Sequence, residues 1–355
     1  MRLLIATDAA PPQVNGVVRT YDHLLRELDK IGVESVFITP NEFRSFPFPF
    51  YPEIRLALPN FKRARHLVEE AKADCIHIAT EGPIGLMVRR YCQKNDIAYT
   101  TSYHTKFPEY LSTLSRLPAN WFYRPIRRFH NTGAGTMVAT RSLSAELAKR
   151  GFKHLLPWTR GVDNELFKPR SIRLFGNEKP VFLYVGRVSK EKNIEAFLDA
   201  CLPGQKVVVG DGPLLAALRQ QYKDVLFVGR KEGTDLAQAY ASADVFVFPS
   251  RTDTFGLVLL EAMASGLPVA AYPVTGPIDL VDEGVSGALD DDLAEAAIRA
   301  LKIDREGVRA FACSFSWLNA ATMFLDNIKS AKRQAMKNKC ANSNRLKQAV
   351  NRRVR

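Results

Sequence analysis

No apolar run in this chain approaches the roughly eighteen residues that a membrane-spanning helix needs. The amino terminus, Met1-Arg-Leu-Leu-Ile-Ala-Thr-Asp8, turns polar too soon for the apolar core of a secretory signal. Cysteine is scarce and unpatterned: Cys75, Cys92, Cys201, Cys313 and Cys340 contain no C-x-x-C spacing, which points to reduced thiols rather than disulfides or a zinc site. All six histidines precede residue 155 and none forms H-E-x-x-H. No paired-aspartate metal motif follows a strand-like run; Asp290-Asp-Asp292 precedes a helical segment and reads as terminal charge. Short internal repeats are missing too, which argues against a solenoid. These absences leave a cytoplasmic protein, free or peripheral on the inner face of a membrane, whose chemistry is expected to need no metal and no cofactor.

What is present is an ordinary globular composition, 46% hydrophobic and 25% charged over 355 residues, long enough for two domains. The net charge of +13 is unevenly spread. Ten Lys/Arg and no acid lie in 329–355, so the other residues hold 40 Lys/Arg against 37 Asp/Glu. Aromatics are absent from that basic stretch, which reads as a partly helical or disordered extension, either solvated or resting on an anionic surface.

Strand-like apolar runs alternate with helix-period segments throughout, the pattern of parallel sheets covered by helices on both faces. The first half suggests strands at 3–7, 34–39, 75–79, 98–102 and 136–139, with helices near 21–31, 62–72, 84–95 and 142–150. A second set of strands, at 181–185, 206–209, 225–228, 244–249 and 268–271, restarts the pattern. The expected fold class is therefore α/β, two doubly wound domains facing a central cleft. Arg160-Gly-Val-Asp163 through Phe167-Lys-Pro169 has the Gly and Pro content of a hinge between them. Ligands of such folds bind at the carboxyl ends of the strands.

The strongest candidate site follows the apolar run Asp244-Val-Phe-Val-Phe-Pro249. Arg251-Thr-Asp-Thr-Phe-Gly256 turns into a helix beginning near Leu257 and carrying Glu261. Gly256 lets the turn close, and the free N–H groups of Phe255, Gly256 and Leu257 suit a diphosphate at the helix N-terminus. Asp253 can reach a sugar hydroxyl, and Glu261 can accept two hydrogen bonds from a ribose diol. The bland alternative is a capped helix with ordinary surface charges. Gly186-Arg187 and Lys192 follow another strand; the first cation can fork onto a phosphate and the second supplies a point charge. Gly16 closes the first strand–helix loop, Gly210-Asp211 ends a strand at the same edge, and Arg230 lies where a base could rest on backbone groups. His104 ends a first-domain strand and faces the same cleft if the domains close. Two segments bear on an acceptor. Phe43 to Tyr51 is an aromatic, proline-broken loop, and 120–130 is an amphipathic cationic stretch with Phe122, Ile126 and Phe129 opposite Arg124, Arg127 and Arg128.

With Asn15-Gly16, Tyr103-His104-Thr105, Arg160-Gly-Val-Asp163, Gly186-Arg187, Glu191-Lys192, Gly210-Asp-Gly-Pro213 and Asp253 to Glu261 in place, the chain resembles the family 4 retaining glycosyltransferases of the two-Rossmann-domain type. Within the family it is similar to diacylglycerol glycosyltransferases and related mannosyltransferases. The resemblance implies an acceptor domain over 1–168 with 316–330 crossing back onto it, a nucleotide-sugar domain over 169–315, and a basic tail over 331–355. It implies that Glu261 binds the donor ribose, Arg187 and Lys192 the diphosphate, and Asp253 the transferred sugar, with His104 near the anomeric carbon. The family's usual glutamate is Asp253 here, and Asn193 stands where glycine is frequent. The implied reaction is retaining hexose transfer from a nucleotide sugar, expected to be uridine-linked, to a membrane lipid such as diacylglycerol. The alternative acceptor is a saccharide or lipid-linked oligosaccharide, with guanosine-linked mannose as donor. An anionic membrane is the expected further partner, through 118–130 and 329–355, and nucleic acid is not. A sugar-nucleotide epimerase on the same fold would make no transfer product.

Overall fold

The computed structural model describes residues 1–13, 15–48, 51–115, 117–176 and 180–353. The first unit runs β1 (Arg2–Ala6), α1 (Gly16–Lys30), β2 (Glu34–Ile38), β3 (Ser45–Phe48), β4 (Tyr51–Ala57), α2 (Phe61–Ala71), β5 (Cys75–Ile78), α3 (Pro83–Lys94) and β6 (Tyr99–Tyr103), then α4 (Phe107–Ser115), α5 (Ala119–Asn131), β7 (Gly135–Val138), α6 (Arg141–Lys149) and β8 (Leu155–Pro157). The second runs β9 (Val181–Val185), α7 (Ile194–Asp199), β10 (Gln205–Val209), α8 (Leu215–Gln221), β11 (Leu226–Gly229), α9 (Gly233–Ala241), β12 (Val245–Phe248) and α10 (Leu257–Ala264). It continues through β13 (Val269–Ala271), α11 (Pro277–Leu280), β14 (Gly287–Leu289), α12 (Leu293–Ala300) and α13 (Arg305–Cys313), and α14 (Trp317–Arg353) ends the chain.

Each unit is built on a six-stranded parallel sheet, ordered β2-β1-β5-β6-β7-β8 in the first and β11-β10-β9-β12-β13-β14 in the second. The continuous apolar runs are explained by burial on both faces. In β9, Val181, Leu183 and Val185 join one core cluster while Phe182 and Tyr184 join the other. β1 divides the same way, with Leu4 and Ala6 on one side and Leu3 and Ile5 on the other. This is the period of two of a strand sandwiched between helix layers. In the second sheet the chain runs outward one way through β9, β10 and β11 and the other way through β12, β13 and β14. The order therefore reverses between β9 and β12, and the loops after those two strands meet.

The chain crosses back to the first unit as expected. Ala321, Phe324, Leu325 and Ile328 of α14 are buried with Leu3, Ile5 and Trp158, and the Trp158 indole N–H donates to the Ala320 carbonyl at 3.1 Å. The segment read as a hinge is held against this return: Val162 donates to the Phe315 carbonyl at 3.1 Å, and a Cβ on Gly161 would lie 2.2 Å from the Trp317 nitrogen. Phe324 is fully buried, with its ring 4.7 Å from Trp158 and 4.9 Å from His77. Phe324→Ala is expected to destabilise the first domain by about 3–5 kcal/mol, read as a lower urea midpoint in tryptophan fluorescence.

Several local expectations change. The aromatic stretch is a β3–β4 antiparallel hairpin rather than a loop, with Ser45 opposite Ala57 and Phe46 opposite Leu56; proline is tolerated because the pair lies outside the main sheets. Pro49 and Phe50 lie outside the described residues. In α5 the apolar stripe turns inward: Phe129 is buried and Ile126 packs on the cluster of Tyr103, Tyr123 and Phe152. Arg124 and Arg128 are exposed, whereas Arg127 donates to the Arg150 carbonyl at 2.8 Å. The basic stretch takes the helical form of the two expected for it. α14 continues unbroken to Arg353, and its Lys332 and Lys339 reach the first domain, at the Asp74 carbonyl (2.6 Å) and the Asp96 carboxylate (2.8 Å).

Candidate active site

The β9–β12 pairing brings the two candidate loops of the second domain together. Lys192 ends a short helical turn after β9, and Asn193 follows it at φ 54°, in the left-handed region. That conformation explains why glycine suits this position, and asparagine is among the few side chains that tolerate it. Asn193 adds a tether, its side-chain amide donating to the Pro249 carbonyl beyond β12 at 3.0 Å. Lys192 Nζ lies 2.5 Å from Asp253 Oδ1. Burial, the largest single influence, would raise the Asp253 carboxyl, but the Lys192 charge together with hydrogen bonds from Lys192 and Ser250 leaves the group below the ordinary value. The two residues assigned separately to diphosphate and sugar thus form one ion pair. Arg187 stands on the same loop, its Nε 4.0 Å from the Glu191 carboxylate.

α10 starts beside this pair. Gly256 sits at φ +89°, and no side chain caps the helix, whereas Asn15, Asn60, Thr140, Asp292 and Asp304 cap other helices with their side chains. The first N–H groups of α10 are therefore free of side-chain caps at the end where the helix dipole is positive. Glu261, one turn further, is buried; Oε2 accepts from the Tyr240 hydroxyl at 3.0 Å and Oε1 lies 3.4 Å from Arg19 Nη1. Burial pushes the Glu261 carboxyl up, while the Arg19 charge and the Tyr240 hydrogen bond pull it back. Arg19 belongs to α1 of the other domain.

His104 directly follows β6 and meets the second domain at Thr254. Its Nδ1 lies 3.3 Å from the Arg160 guanidinium, and its Nε2 lies 3.2 Å from the Tyr21 hydroxyl. A guanidinium only donates, so Nδ1 is the acceptor and the neutral ring carries its proton on Nε2, toward Tyr21. The Tyr21 hydroxyl then meets His77 Nε2 at 3.0 Å. Burial first, then the Arg160 charge, hold His104 well below the usual imidazole range, and burial takes His77 down to about 3. Arg160 itself is buried over the Trp158 ring at 3.8 Å, donating to the Trp158 carbonyl at 2.6 Å. The His104 carbonyl accepts from Thr254 Oγ1 at 2.5 Å, joining the two halves of the cleft. A further cross-domain contact lies away from the site, where Asp279 of α11 accepts from the Ser142 backbone at 3.0 Å near the start of α6.

The remaining expected residues divide into two groups. Gly186 and Gly210 are in contact across adjacent strand ends, where a Cβ on Gly210 would lie 1.8 Å from the Gly186 oxygen. Gly16 is the first residue of α1, and Leu257 opens α10. The Phe255 side chain is buried in the second core. Asp211 and Arg230 are turned to local partners instead: exposed Asp211 accepts from the Gly212 backbone at 2.7 Å, and exposed Arg230 pairs with Glu232. Arg19, Tyr21, His77 and Thr254 were missed as site residues. Arg19 carried one signal, standing one helical turn beyond Gly16 on the cleft side of α1. Among the described residues no group of three or more His, Cys, Asp or Glu side chains could hold a metal ion.

Residues 14–166 match the family model described as Glycosyltransferase Family 4, and residues 179–303 that described as Glycosyl transferases group 1. The sequence is 32% identical to sulfoquinovosyl transferase SQD2 of Arabidopsis thaliana, over 86% of this chain and 67% of the relative. It is 30% identical to a GDP-mannose-dependent alpha-mannosyltransferase of Corynebacterium glutamicum, over 82% of this chain and 77% of the relative.

The chain belongs to glycosyltransferase family 4.

Another relative of this glycosyltransferase is the alpha-monoglucosyldiacylglycerol synthase of Streptococcus pneumoniae, 29% identical over 85% of this chain and 78% of the relative. The fold is shared with sucrose-phosphate synthase from Thermosynechococcus elongatus, with a TM-score of 0.74 and 22% identity over 95% of this chain and 99% of that one. The glycosyltransferase thus has the two-domain architecture of its family, with Lys192 paired to Asp253 and with Glu261 and His104 each in contact with the opposite domain.

Proposed function

We propose that this glycosyltransferase moves a hexose from a uridine-linked nucleotide sugar to a membrane lipid such as diacylglycerol, with retention at the anomeric carbon and no metal requirement. Glu261 takes the ribose, Arg187, Lys192 and the α10 N-terminus take the diphosphate, and Asp253 takes the transferred sugar beside His104. Cations and a helix end then stabilise the charge that grows on the departing phosphate. With Asp253 tied to Lys192 and His104 engaged at both ring nitrogens, the attack is assigned to the acceptor hydroxyl on the face that the leaving phosphate departs from. That phosphate takes the hydroxyl proton.

The observation that carries the lipid reading lies on the first domain. Trp121 is 68% exposed, and Phe107, Leu111 and Leu117 around the α4–α5 turn are also exposed, next to exposed Arg124 and Arg128. Apolar groups ringed by cations suit the interface of an anionic bilayer. No described helix is long and apolar enough to cross one. The diacylglycerol-named relative supports the same acceptor, while the mannosyltransferase relative favours a second reading, guanosine-linked mannose donated to a saccharide or lipid-linked oligosaccharide. Incubation with labelled nucleotide sugars and either diacylglycerol vesicles or soluble saccharides tests both. A labelled α-linked glycolipid is expected. Label only in saccharide products would replace this reading with the second, and a β-linked product would end the retaining assignment.

A further inference from the structure

Glu261 is a buried carboxylate whose contacts come from both domains: Tyr240 of α9 donates to it at 3.0 Å, and Arg19 of α1, 33% exposed, approaches at 3.4 Å. The charged groups around this cluster are Arg19, Glu261 itself and Glu232 at the head of α9, which feels the Arg19 charge and is paired with Arg230. Arg19 is therefore the cation that the first domain supplies to this carboxylate.

From this geometry we propose that Arg19 completes the nucleotide site from the opposite domain, holding Glu261 as the charged acceptor of the ribose diol while the cleft is closed. The inference rests on the assignment of Glu261 to the ribose. An ionised carboxylate offers about four acceptor sites; Tyr240 and Arg19 occupy two and leave two for a vicinal diol, so Arg19 need not leave when the nucleotide arrives. A protonated carboxyl accepts less and becomes a donor, which a diol held by acceptance does not match. When the domains part, Arg19 moves away from Glu261, the buried carboxylate loses its cation and takes up a proton more readily, and the ribose loses its acceptor. Closure and nucleotide affinity are coupled through one ion pair.

The sign with pH follows. Glu261 binds as a carboxylate, so affinity falls as pH falls, and without Arg19 the fall begins at higher pH. Calorimetric titration of the full chain with uridine diphosphate and guanosine diphosphate, at pH values of roughly 6, 7 and 8, tests this in wild type, Arg19→Met, Arg19→Lys and Glu261→Gln. For whichever nucleotide binds, Arg19→Met is expected to weaken affinity about tenfold near neutrality, with a larger loss at the lower pH. Arg19→Lys, which keeps the charge, stays closer to wild type, and Glu261→Gln is weak with a flatter pH profile. Glu261→Gln binding as wild type would remove the ribose assignment itself. Weak Glu261→Gln with Arg19→Met like wild type, or with a loss equal at every pH, would leave that assignment standing and overturn the role of Arg19.

Discussion

Replacement of Lys192 by alanine is expected to lower kcat for sugar transfer by about 10²–10³-fold with the fold intact. The side chain is 28% exposed and outside the core, so its loss costs little stability. Its value lies in placement. The ammonium is held 2.5 Å from Asp253 on a loop tied to the end of β12 by Asn193, so the charge is in position before the reaction starts. Charge on the leaving phosphate grows toward the transition state, and the missing cation should therefore appear in kcat more than in KM. Asp253 changes as well: without Lys192 burial is opposed only by the Ser250 hydrogen bond, the smallest of the influences on its carboxyl, which rises, so the variant's activity should require higher pH. Lys192→Arg restores the charge but not the reach and should recover part of the rate. Steady-state kinetics with the established donor measure both variants against wild type. A Lys192→Ala enzyme with unchanged kcat and only a raised KM would make Lys192 a binding residue with no share in the transition state.

Glu261→Gln tests the other half of the donor site, and the expected effect falls on a different constant. Glutamine keeps the volume and a carbonyl for Tyr240, but it removes the charge that Arg19 faces and one of the two acceptor oxygens. Hydrogen bonds to charged groups contribute about 1.5–3 kcal/mol each, so the donor KM should rise about 10²-fold with a much smaller change in kcat. Inhibition by the free nucleoside diphosphate should weaken in parallel, because ribose contacts are the same in substrate and product. A normal donor KM in a folded Glu261→Gln enzyme would show that the ribose is held elsewhere.

Much of the architecture was legible from local signals. Val181–Val185 and Val245–Phe248 stand out because a strand buried on both faces has no polar positions, and the loops after them are marked by glycine and charge. The short edge strands β8 and β14, three residues each, carry too few positions to show a period. In α5 the period was visible but its direction was not. The amphipathic pattern is the same whether the apolar stripe meets a membrane or a protein core, and packing against Phe152 and Tyr103 put it inside. For the basic stretch composition left helix and disorder open; the structure has the helix, and Lys332 and Lys339 on it reach Asp74 and Asp96.

The pairings inside the cleft depend on distance through space. Residue types and turn chemistry established two parallel α/β domains, a helix end suited to phosphate, and a set of cations and carboxylates at strand ends, since all of these follow from neighbours in the chain. Which cation meets which carboxylate did not. Lys192 reaches Asp253 because β9 and β12 lie side by side, and Arg19 reaches Glu261, 242 residues away, because α14 and the cross-domain contacts of Thr254 and Asp279 hold two separately folded sheets face to face. A spacing of that size carries no periodic signal. The contact exists only once both cores have packed and the two domains meet.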